Sequence, residues 1–542
     1  MIIRNLLTVL CLCFCSEAYK ILVFYPFPSL SHQRGILALT ERLVNDGHEL
    51  YVISPFGIPG LKNHENYTFV DLSPTYTLNK TRDEAEIIDI LQQRISKWEM
   101  MSILKDYPSL PQKALLSDAY LQFKRHVESE SIKFDLVIAE MLFFSYACAM
   151  TRDFPGSAPL ISMSSITSDV AEDSLGSIKH YSFFPLVVSQ NTDRMNLWQR
   201  LENWIAGVYF MSWYINKLDA AVRVYLSELY GPGSENTIGD CWSRNSLSLI
   251  ASNSLYAYPR LLGPNVIEVG PLHLKTPEKL PQNLQDWLDG AEKGVIYFSM
   301  GCTKKGKSLP AEIRSNFLKV FKELSPGYRV LWKWELEGKI PGQSDNILPQ
   351  KWLPQMSVLA HPKLKVFIMQ GGLQSFQEAV HYGVPIVGIP WFVDQESNVA
   401  KIVDAGIGVR IEAADQNSFE KIKSAIDAVL HDKRYSNNMK KLSAISHDFT
   451  SRGLDQAVFW VEHVARHGGA SHLRPATADT TLFEFFCLDI ISLITVSCFL
   501  ILYVAWSLGK FLCSIILKQF RVFIEFRMFG VFRKANTKLK SS

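Results

Sequence analysis

Short apolar runs alternate with amphipathic helical patterns over most of the chain. This alternation predicts α/β units around parallel sheets. A first series of predicted strands covers residues 21–25, 49–53, 69–72, 134–139 and 160–164. A second series covers residues 294–299, 328–334, 365–369, 385–389 and 409–412. Two series of this kind predict two similar halves.

The same periodicity predicts helices at about residues 32–45, 373–381, 395–404, 418–430 and 454–466. Residues 82–130 and 168–228 are expected to be helical, aromatic-rich insertions between strands. Three prolines between residues 271 and 281 separate the two series and predict a linker. The expected domains are therefore 19–270, a linker at 271–283, and 284–480. Ligands should bind at the carboxyl ends of the strands, in a crevice between the halves.

The two ends of the chain have different patterns. Residues 1–18 combine Arg4 with an apolar run that is shorter than the roughly 20 residues a membrane span needs. They predict a cleaved signal peptide, with a buried first strand as the alternative. Residues 486–508 predict a transmembrane helix, with a core helix as the alternative. The tail at 509–542 carries eight Lys and Arg against Glu525, which predicts a cytosolic tail and a lumenal body, a single-pass type I arrangement.

Composition changes this picture in two ways. The chain has 542 residues and a formal charge of +3, so the part before its basic tail is slightly acidic. This argues against nucleic acid as a partner, which would favour a basic face. Of nine cysteines, Cys148, Cys241 and Cys302 alone fall in the predicted lumenal body. We expect no disulfide framework and predict no bridge, and no Cys/His cluster has zinc spacing, so no metal is expected.

Short motifs suggest how the chain is processed. Asn66 and Asn79 begin Asn-x-Thr glycosylation sequences, either of which could be unused. Lys538 and Lys540 stand fifth and third from the end, as in the dilysine retrieval signals of endoplasmic reticulum membrane proteins. The alternative for the lysines is an ordinary solvated basic tail.

A glycine pair marks the candidate chemistry. Gln370-Gly371-Gly372 follows a predicted strand and precedes a predicted helix. Glycines let backbone N–H groups approach an anion, and a helix N-terminus adds partial positive charge. A diphosphate suits such a site, although glycine pairs also simply turn strands into helices.

The order of several motifs is more specific. Trp352-Leu353-Pro354-Gln355 is followed by the run 367–379, then by Gly383-Val384-Pro385 and by Asp394-Gln395. This order resembles the signature of the UDP-glycosyltransferases, and the Gln-Gly-Gly form resembles their insect and baculovirus members. The resemblance extends over nearly the whole chain. It implies a GT-B fold, with two Rossmann-like domains facing a cleft, a UDP-sugar in the second domain and an acceptor in the first. No cofactor is implied, because the UDP-sugar, expected to be UDP-glucose, is a co-substrate.

The resemblance also implies roles for individual residues. Trp352 would stack on uracil, or else be a core residue; Gln355 would bind the uridine. Glu378 would accept from the ribose hydroxyls, or only complement the helix dipole. The residues implied to hold the diphosphate are Ser299, Gly301, Gln370, Gly371 and Gly372. Asp394 and Gln395 would grip sugar hydroxyls, or else cap a helix.

His32, after the first strand, is the implied catalytic base, although a lone His at a helix start is often structural. Glu140 would be its partner, fixing the tautomer and stabilising the imidazolium. The implied reaction is a metal-independent displacement with inversion, in which His32 deprotonates the hydroxyl of a small lipophilic acceptor. Aromatic residues that would line the acceptor pocket, or else the core, are Phe143, Phe144, Tyr181, Phe183, Phe184 and Trp198.

Three departures from the family pattern favour a second hypothesis. Glu140 replaces an Asp, Gln370 replaces the His of vertebrate members, and Cys302 replaces a Ser. A catalytically weak protein that binds UDP-sugar or lipophiles would tolerate such changes. A third hypothesis is a transferase acting on a membrane lipid. Self-association of the membrane-bound chain is a further expectation.

Overall fold

The computed structural model describes residues 18–77, 96, 98–99, 102, 104–152, 154–177, 179–237, 241–301, 306–324 and 326–539. The chain up to Ala478 forms one compact unit, and Asp479–Ser542 forms a second. Asn79, Cys302, Lys540 and almost all of the predicted signal peptide lie outside the described residues.

Two sheets form the framework of the first unit. The strands of the first sheet are β1 (Lys20–Phe24), β2 (Glu49–Ser54), β3 (Tyr67–Asp71), β4 (Leu136–Glu140), β5 (Leu160–Ser164), β6 (Asn245–Ile250) and β7 (Val266–Glu268). Those of the second are β8 (Gly294–Ser299), β9 (Tyr328–Lys333), β10 (Ile347–Gln350), β11 (Leu364–Met369), β12 (Ile386–Gly388) and β13 (Gly408–Arg410).

Helices connect these strands. Before the second sheet they are α1 (Leu30–Asn45), α2 (Ser73–Thr77), α3 (Leu110–Leu115), α4 (Asp118–Ser129), α5 (Phe144–Thr151), α6 (Leu197–Tyr230) and α7 (Gln282–Asp289). Those that follow are α8 (Ala311–Glu323), α9 (Gln355–Leu359), α10 (Leu373–His381), α11 (Gln395–Asp404), α12 (Phe419–His431), α13 (Lys433–His467), α14 (Leu482–Phe485) and α15 (Leu488–Leu539).

The two sheets repeat one strand order. The first runs β3-β2-β1-β4-β5-β6-β7 and the second β10-β9-β8-β11-β12-β13, with every strand pair parallel. In each sheet the order reverses beside the first strand, between β1 and β4 and between β8 and β11. Ligands of open parallel sheets bind outside the carboxyl ends of the strands at this switch point. The fold thus defines two facing positions for a site.

Alternate residues of β1 enter different cores, which explains the continuous apolar run. Leu22 and Phe24 belong to one cluster, whereas Ile21 and Val23 belong to the cluster on the other face. Such two-sided burial is typical of parallel sheets covered by helices on both faces.

Helix α13 joins the two halves. Met439, near its start, packs in a core of the second sheet, whereas Val461 and Val464 pack in a core of the first. An ion pair also connects α13 to the first half: Arg42 Nη1 on α1 lies 2.7 Å from Asp455 Oδ1 on α13. The helix begins 21 residues before the predicted start at 454, and its far end covers the N-terminal half.

The structure departs from the expected pattern at three strands and one insertion. Strands β6, β7 and β10 were not predicted. Polar residues interrupt the apolar pattern of β6, β7 has only three residues, and Pro349 interrupts β10. The prediction of a helical 168–228 is wrong in its middle. Gly176 adopts a left-handed conformation (φ 81°) after the short 3₁₀ turn Val170–Leu175, and α6 begins only at Leu197.

The prediction of no disulfide is also wrong. Cys148 on α5 and Cys241 before β6 form a bridge, with their Cα atoms 5.7 Å apart. Both residues are buried in the core cluster that contains Phe144 and Trp242. Cysteine number alone did not reveal the pair, because 93 residues separate the two positions and tertiary folding brings them together.

We expect the Cys148→Ser, Cys241→Ser double variant to lower the free energy of unfolding by about 4 kcal/mol, since the bridge closes a long loop. Thermal unfolding of the full-length protein measures this change. Replacement of Cys487, Cys498 and Cys513, which are free and exposed in the second unit, is the matched control and should leave the unfolding temperature of the body unchanged. Equal unfolding temperatures for the double variant and wild type would contradict the prediction.

The second unit contains the long helix α15. Within the part of the chain that the structure describes, it is the one helix that is long and apolar enough to cross a membrane, over Leu488–Val531. Its apolar side chains continue past Leu508, the predicted end of the span, through Phe511, Leu512 and Ile516.

Candidate active site

His32 and Glu140 meet at the switch point of the first sheet. His32 lies in the first turn of α1, just after β1, and Glu140 is the last residue of β4, which pairs with β1. His32 Nδ1 lies 3.3 Å from Glu140 Oε1. The imidazole is 23% exposed whereas the carboxylate is buried, so part of the ring remains accessible.

Hydrogen bonds hold the loop that precedes His32. Gln33 Nε2 donates to the carbonyl oxygens of Tyr25 and Phe27, each at 2.8 Å. Ser165 Oγ donates to the carbonyl oxygen of His32 at 2.7 Å. The imidazole therefore projects from a fixed backbone, which a positioned general base requires.

The environment of Glu140 sets its ionisation. Burial raises the pKa of this carboxyl above its usual value, and the hydrogen bonds from His32 and from the Phe27 backbone N–H only partly oppose the effect.

The glycine pair occupies the corresponding position in the second sheet. Gly371 and Gly372 connect β11 to α10, and Gly372 is the residue immediately before the helix. Gly371 has φ +95°, and a Cβ there would lie 2.5 Å from Val399 Cγ2. The backbone can adopt this path only because position 371 lacks a side chain.

The end of β8 lies beside the glycine pair. A Cβ at Gly301 would lie 2.6 Å from Gln370 Nε2, and Gly301 N–H donates to Ser299 Oγ at 3.3 Å. Among the described residues, nothing donates a hydrogen bond to the buried Oε1 atom of Gln370. The structure thus brings together Ser299, Gly301, Gln370, Gly371 and Gly372 at the N-terminus of α10, a favourable place for an anion.

Glu378 is fully buried and surrounded by donors. Arg34 Nη1 donates to Oε1 at 2.7 Å, and Gln355 Nε2 donates to Oε2 at 2.6 Å. His273 Nε2 lies 3.5 Å from Oε1. Burial opposes ionisation of Glu378, but His273, Arg34 and Gln355 together lower its pKa below the usual value. The carboxylate is therefore available as an acceptor, yet Arg34 covers it.

Trp352 and Gln355 differ in how free their side chains are. Trp352 is 59% exposed, so it is not a core residue, and the Nζ of Lys333 lies 5.8 Å from the centre of its ring. The Gln355 side chain is already hydrogen-bonded within the protein. Its Nε2 also donates to Ser375 Oγ at 2.9 Å, and its Oε1 accepts from the Tyr297 hydroxyl at 3.1 Å.

Asp394 and Gln395 lie at the start of α11. Gln395 Oε1 accepts from the backbone N–H groups of Trp391 and Phe392 at 3.0 and 3.2 Å and so shapes the preceding loop. Asn398 Nδ2 donates both to Asp394 Oδ2 and to the Gly371 carbonyl oxygen at 2.9 Å. Asn398 thereby bridges Asp394 and the glycine pair.

Contacts between the two halves hold the two parts of the site next to each other. Arg34, two residues after His32, reaches Glu378 on α10, and the Gln374 side chain contacts the Ser31 carbonyl oxygen. Burial raises the pKa of Asp394, and the nearby His32 imidazole partly offsets that rise. His32 and the glycine pair therefore share one crevice.

The aromatic candidates divide between core and surface. Phe143, Phe144, Tyr181 and Phe184 are buried, whereas Phe183 and Trp198 are 59% and 75% exposed. Phe143 is 6.0 Å from Phe27 between ring centres, and Phe27 in turn meets the His32 ring edge-on at 4.6 Å. Of the six, Phe143 is the residue that the described contacts connect to His32.

The sequence pattern did not indicate Arg34, His273 or Lys333 as site residues. Lys333 ends β9, and its buried Nζ donates to the Gly301 carbonyl oxygen at 2.7 Å. A strand-end lysine beside an anion site was visible in the sequence, but nothing there paired it with Gly301. Arg34 and His273 lie 344 and 105 residues from Glu378, so only the fold shows these contacts.

Solved structures place the fold among the GT-B glycosyltransferases. The glycotransferase of kitacinnamycin matches with a TM-score of 0.52 and 18% identity, covering 82% of this chain and 99% of the other. The glycosyltransferase VinC and a UDP-glucosyltransferase from Polygonum tinctorium each match with a TM-score of 0.51 at 15% and 14% identity, covering 83% of this chain and 100% and 99% of theirs. The predicted fold class is confirmed.

The sequence comparison identifies the family. The profile of the family described as UDP-glucoronosyl and UDP-glucosyl transferase matches residues 20–524, and the chain belongs to this family of sugar-transferring enzymes. UDP-glycosyltransferase UGT5 of Dactylopius coccus is 30% identical over 92% of this chain and 94% of its own length. Human UDP-glucuronosyltransferase 2B7 is 32% identical over 91% and 93%. The predicted family is confirmed, and insect members are among the relatives.

We expect Arg34→Ala to destabilise the protein by about 2–3 kcal/mol at pH 7, because a buried carboxylate loses one charged partner while two donors remain. The folded-state pKa of Glu378 is depressed, so its ionic contribution is full above the ordinary value of 4.5 and is lost as the pH falls through the folded value. The deficit of Arg34→Ala should therefore shrink on acidification. Thermal unfolding of wild type, Arg34→Ala and Arg34→Lys between pH 7 and pH 4 checks this. A deficit independent of pH would contradict it.

Proposed function

We propose that this UDP-glycosyltransferase transfers glucose from UDP-glucose to a hydroxyl group of a small lipophilic acceptor, with inversion at the anomeric carbon. The observation that carries the proposal is the pairing of two switch points across one crevice. One holds the His32–Glu140 pair, and the other holds the glycine pair at the start of α10.

In the proposed reaction, Nε2 of His32 takes the proton of the acceptor hydroxyl, while Glu140 holds Nδ1 and stabilises the imidazolium. The acceptor oxygen forms a bond to the anomeric carbon as the bond from that carbon to the UDP oxygen breaks. Backbone N–H groups at the start of α10 would stabilise the negative charge that develops on the diphosphate, so the proposed reaction requires no metal ion. Holding both substrates in line contributes further to the rate.

The donor contacts are proposed for three side chains of the second half. Trp352 offers a free ring face for uracil stacking. Glu378 offers an ionised acceptor for the ribose hydroxyls once Arg34 moves, while Asp394 would accept from the sugar hydroxyls. Glucose as the sugar rests on the Gln-Gly-Gly form at 370–372 and on relatives such as UDP-glucosyltransferase 2 of Dactylopius coccus, which is 31% identical.

The proposal includes a place in the cell. A signal peptide at 1–18, a span formed by α15 and a basic tail together support a single-pass protein of the endoplasmic reticulum with its body in the lumen. Conjugation of lipophilic foreign or endogenous compounds suits an enzyme at this surface. Glycosylation at Asn66, whose side chain is only partly buried, belongs to the same proposal.

Microsomes containing the full-length chain test the function. UDP-glucose and UDP-glucuronic acid are compared as donors against a panel of phenols and steroids, with and without a chelator of divalent cations. We expect chelator-resistant formation of β-glucosides. Binding of UDP-glucose without turnover would replace the proposal by a carrier role, and turnover confined to bilayer lipids would replace the acceptor class.

A further inference from the structure

One arginine of the first half covers the carboxylate that the proposed function assigns to the ribose. Arg34 lies on α1, two residues after His32, and its Nη1 lies 2.7 Å from Glu378 Oε1 on α10. The Glu378 side chain is fully buried, whereas 30% of the Arg34 side chain is exposed. Of the two partners, Arg34 is therefore the one that can move into solvent.

The other contacts of Glu378 hold it in place without Arg34. Gln355 Nε2 donates to Oε2 at 2.6 Å, and Gln355 is itself hydrogen-bonded to other side chains of the second half. His273, whose side chain is buried, has its Nε2 at 3.5 Å from Oε1. Departure of Arg34 would thus open one side of Oε1 and leave the carboxylate where it is.

The position of Glu378 suits a ribose. Glu378 lies six residues after Gly372, which is about 9 Å along α10 from the glycine pair. Its partner Gln355 lies three residues after the exposed Trp352. The ribose of a nucleotide connects the base to the diphosphate, so a UDP held at both places carries its ribose past Glu378. Ribose hydroxyls and the Arg34 guanidinium are then donors for the same carboxylate oxygen.

A second contact accompanies the charged pair. The Gln374 side chain on α10 contacts the Ser31 carbonyl oxygen on α1. Ser31 precedes Arg34 by three residues and Gln374 precedes Glu378 by four, so each pair of residues lies on one face of its helix. The two helices therefore meet face to face, and Glu378 is the buried acceptor of that contact.

We infer that Arg34 competes with the ribose of the donor for Glu378, and that a UDP-sugar binds as its ribose hydroxyls displace the guanidinium. The inference rests on the assignment of Glu378 to the ribose in the proposed function. The exchange leaves the buried carboxylate with donors, because the hydroxyls replace Arg34 at Oε1 while Gln355 and His273 remain. The affinity for UDP is reduced by the fraction of molecules in which Arg34 holds Glu378. Arg34 thereby sets how much donor is needed to occupy the site.

Calorimetric titration of the full-length protein in detergent with UDP tests the inference. Wild type is compared with Arg34→Ala, Arg34→Lys, Glu378→Gln and the double variant Arg34→Ala, Glu378→Gln. Arg42→Ala is the matched control. Arg42 lies on the same helix, about 12 Å further along, and its Nη1 also pairs with a carboxylate on another helix, that of Asp455 at 2.7 Å.

We expect Arg34→Ala to lower the Kd for UDP about tenfold, as for a contact that occupies the site in about nine of ten molecules. In the Glu378→Gln background the same change should alter the Kd by less than about twofold, because a neutral amide holds the guanidinium only weakly. Arg34→Lys keeps the charge but loses the planar fork, so its gain should be intermediate, and it serves where Arg34→Ala does not fold. Arg42→Ala should bind UDP as wild type does.

Unchanged or weaker UDP binding by Arg34→Ala would overturn the inference, since Arg34 would then be neutral or a direct contact of the nucleotide. An equal gain in the Glu378→Gln background, or in Arg42→Ala, would also overturn it, because release of Glu378 would not be the cause. Sugar transfer by wild type reports the proposed function separately. Transfer by wild type with no gain in Arg34→Ala overturns the displacement alone, whereas a wild type that neither binds UDP nor transfers sugar overturns both.

Discussion

His32→Ala is expected to lower kcat for sugar transfer by about 10²- to 10⁴-fold, which is the usual contribution of a positioned general base. The affinity for UDP should change little, because His32 belongs to the half of the crevice opposite the glycine pair. Initial rates at saturating donor and acceptor, together with calorimetric titration of UDP, measure the two effects separately.

The control for this prediction is His64→Ala. His64 is a partly buried imidazole whose Nδ1 accepts from the Asn66 backbone N–H at 3.2 Å in a loop before β3. His64→Ala should leave kcat within about twofold of wild type, because among the described contacts His64 touches neither Glu140 nor the loop that precedes His32. Full activity in His32→Ala would remove the base from the mechanism.

The partner of His32 should affect the pH profile. Because burial raises the pKa of Glu140, activity should fall as the pH drops through that raised value, where the carboxylate becomes protonated and no longer stabilises the imidazolium. Glu140→Gln should lower kcat most above that raised value, where wild type holds a carboxylate, and its difference from wild type should shrink as the pH falls through it. An acid limb identical to that of wild type would assign that limb to another group.

Gly371→Ala is the second variant with a large expected effect. A side chain at this position must adopt φ +95° and would place its Cβ 2.5 Å from Val399 Cγ2 and 3.1 Å from the Gln395 carbonyl oxygen. Strained backbone and overpacking each cost about 1–3 kcal/mol, so we expect a loss of about 2–6 kcal/mol in the free energy of unfolding. UDP binding should also be lost, since the N-terminus of α10 shifts. Thermal unfolding and UDP titration give both quantities.

Gly372→Ala is a closely matched control. Gly372 has φ −61°, and a Cβ there would meet only Gln370 Nε2 at an ordinary 3.8 Å. It should therefore cost about 1 kcal/mol or less, as expected for Ala replacing Gly before a helix. Equal unfolding temperatures of the two alanine variants would show that backbone geometry at Gly371 does not limit stability.

The sequence predicted the framework well where patterns were local. Alternating apolar strands and periodic helices placed β1, β2, β5, β8 and α10 within one or two residues, because each combines a buried run with a clear terminus. It failed at β10, where Pro349 interrupts the pattern, and at residues 176–196, where a left-handed Gly176 ends the turn. Periodicity does not reveal such local breaks.

The sequence predicted several residues of the candidate site but not the contacts between them. Glu378 could be proposed from its place in a motif, but its enclosure by Arg34, His273 and Gln355 arises from three distant segments. The Cys148–Cys241 bridge was missed for the same reason. Pairings of this kind depend on tertiary folding, for which residue spacing carries little information.

In the proposed mechanism, one crevice holds the UDP diphosphate at the start of α10 and presents His32 to the acceptor hydroxyl. A crystal structure of the protein with UDP and an acceptor tests it directly. We expect phosphate oxygens within about 3 Å of backbone N–H groups at the start of α10, and the acceptor hydroxyl at a similar distance from His32 Nε2. UDP bound away from α10, or His32 turned out of the crevice with the acceptor elsewhere, would rule this mechanism out.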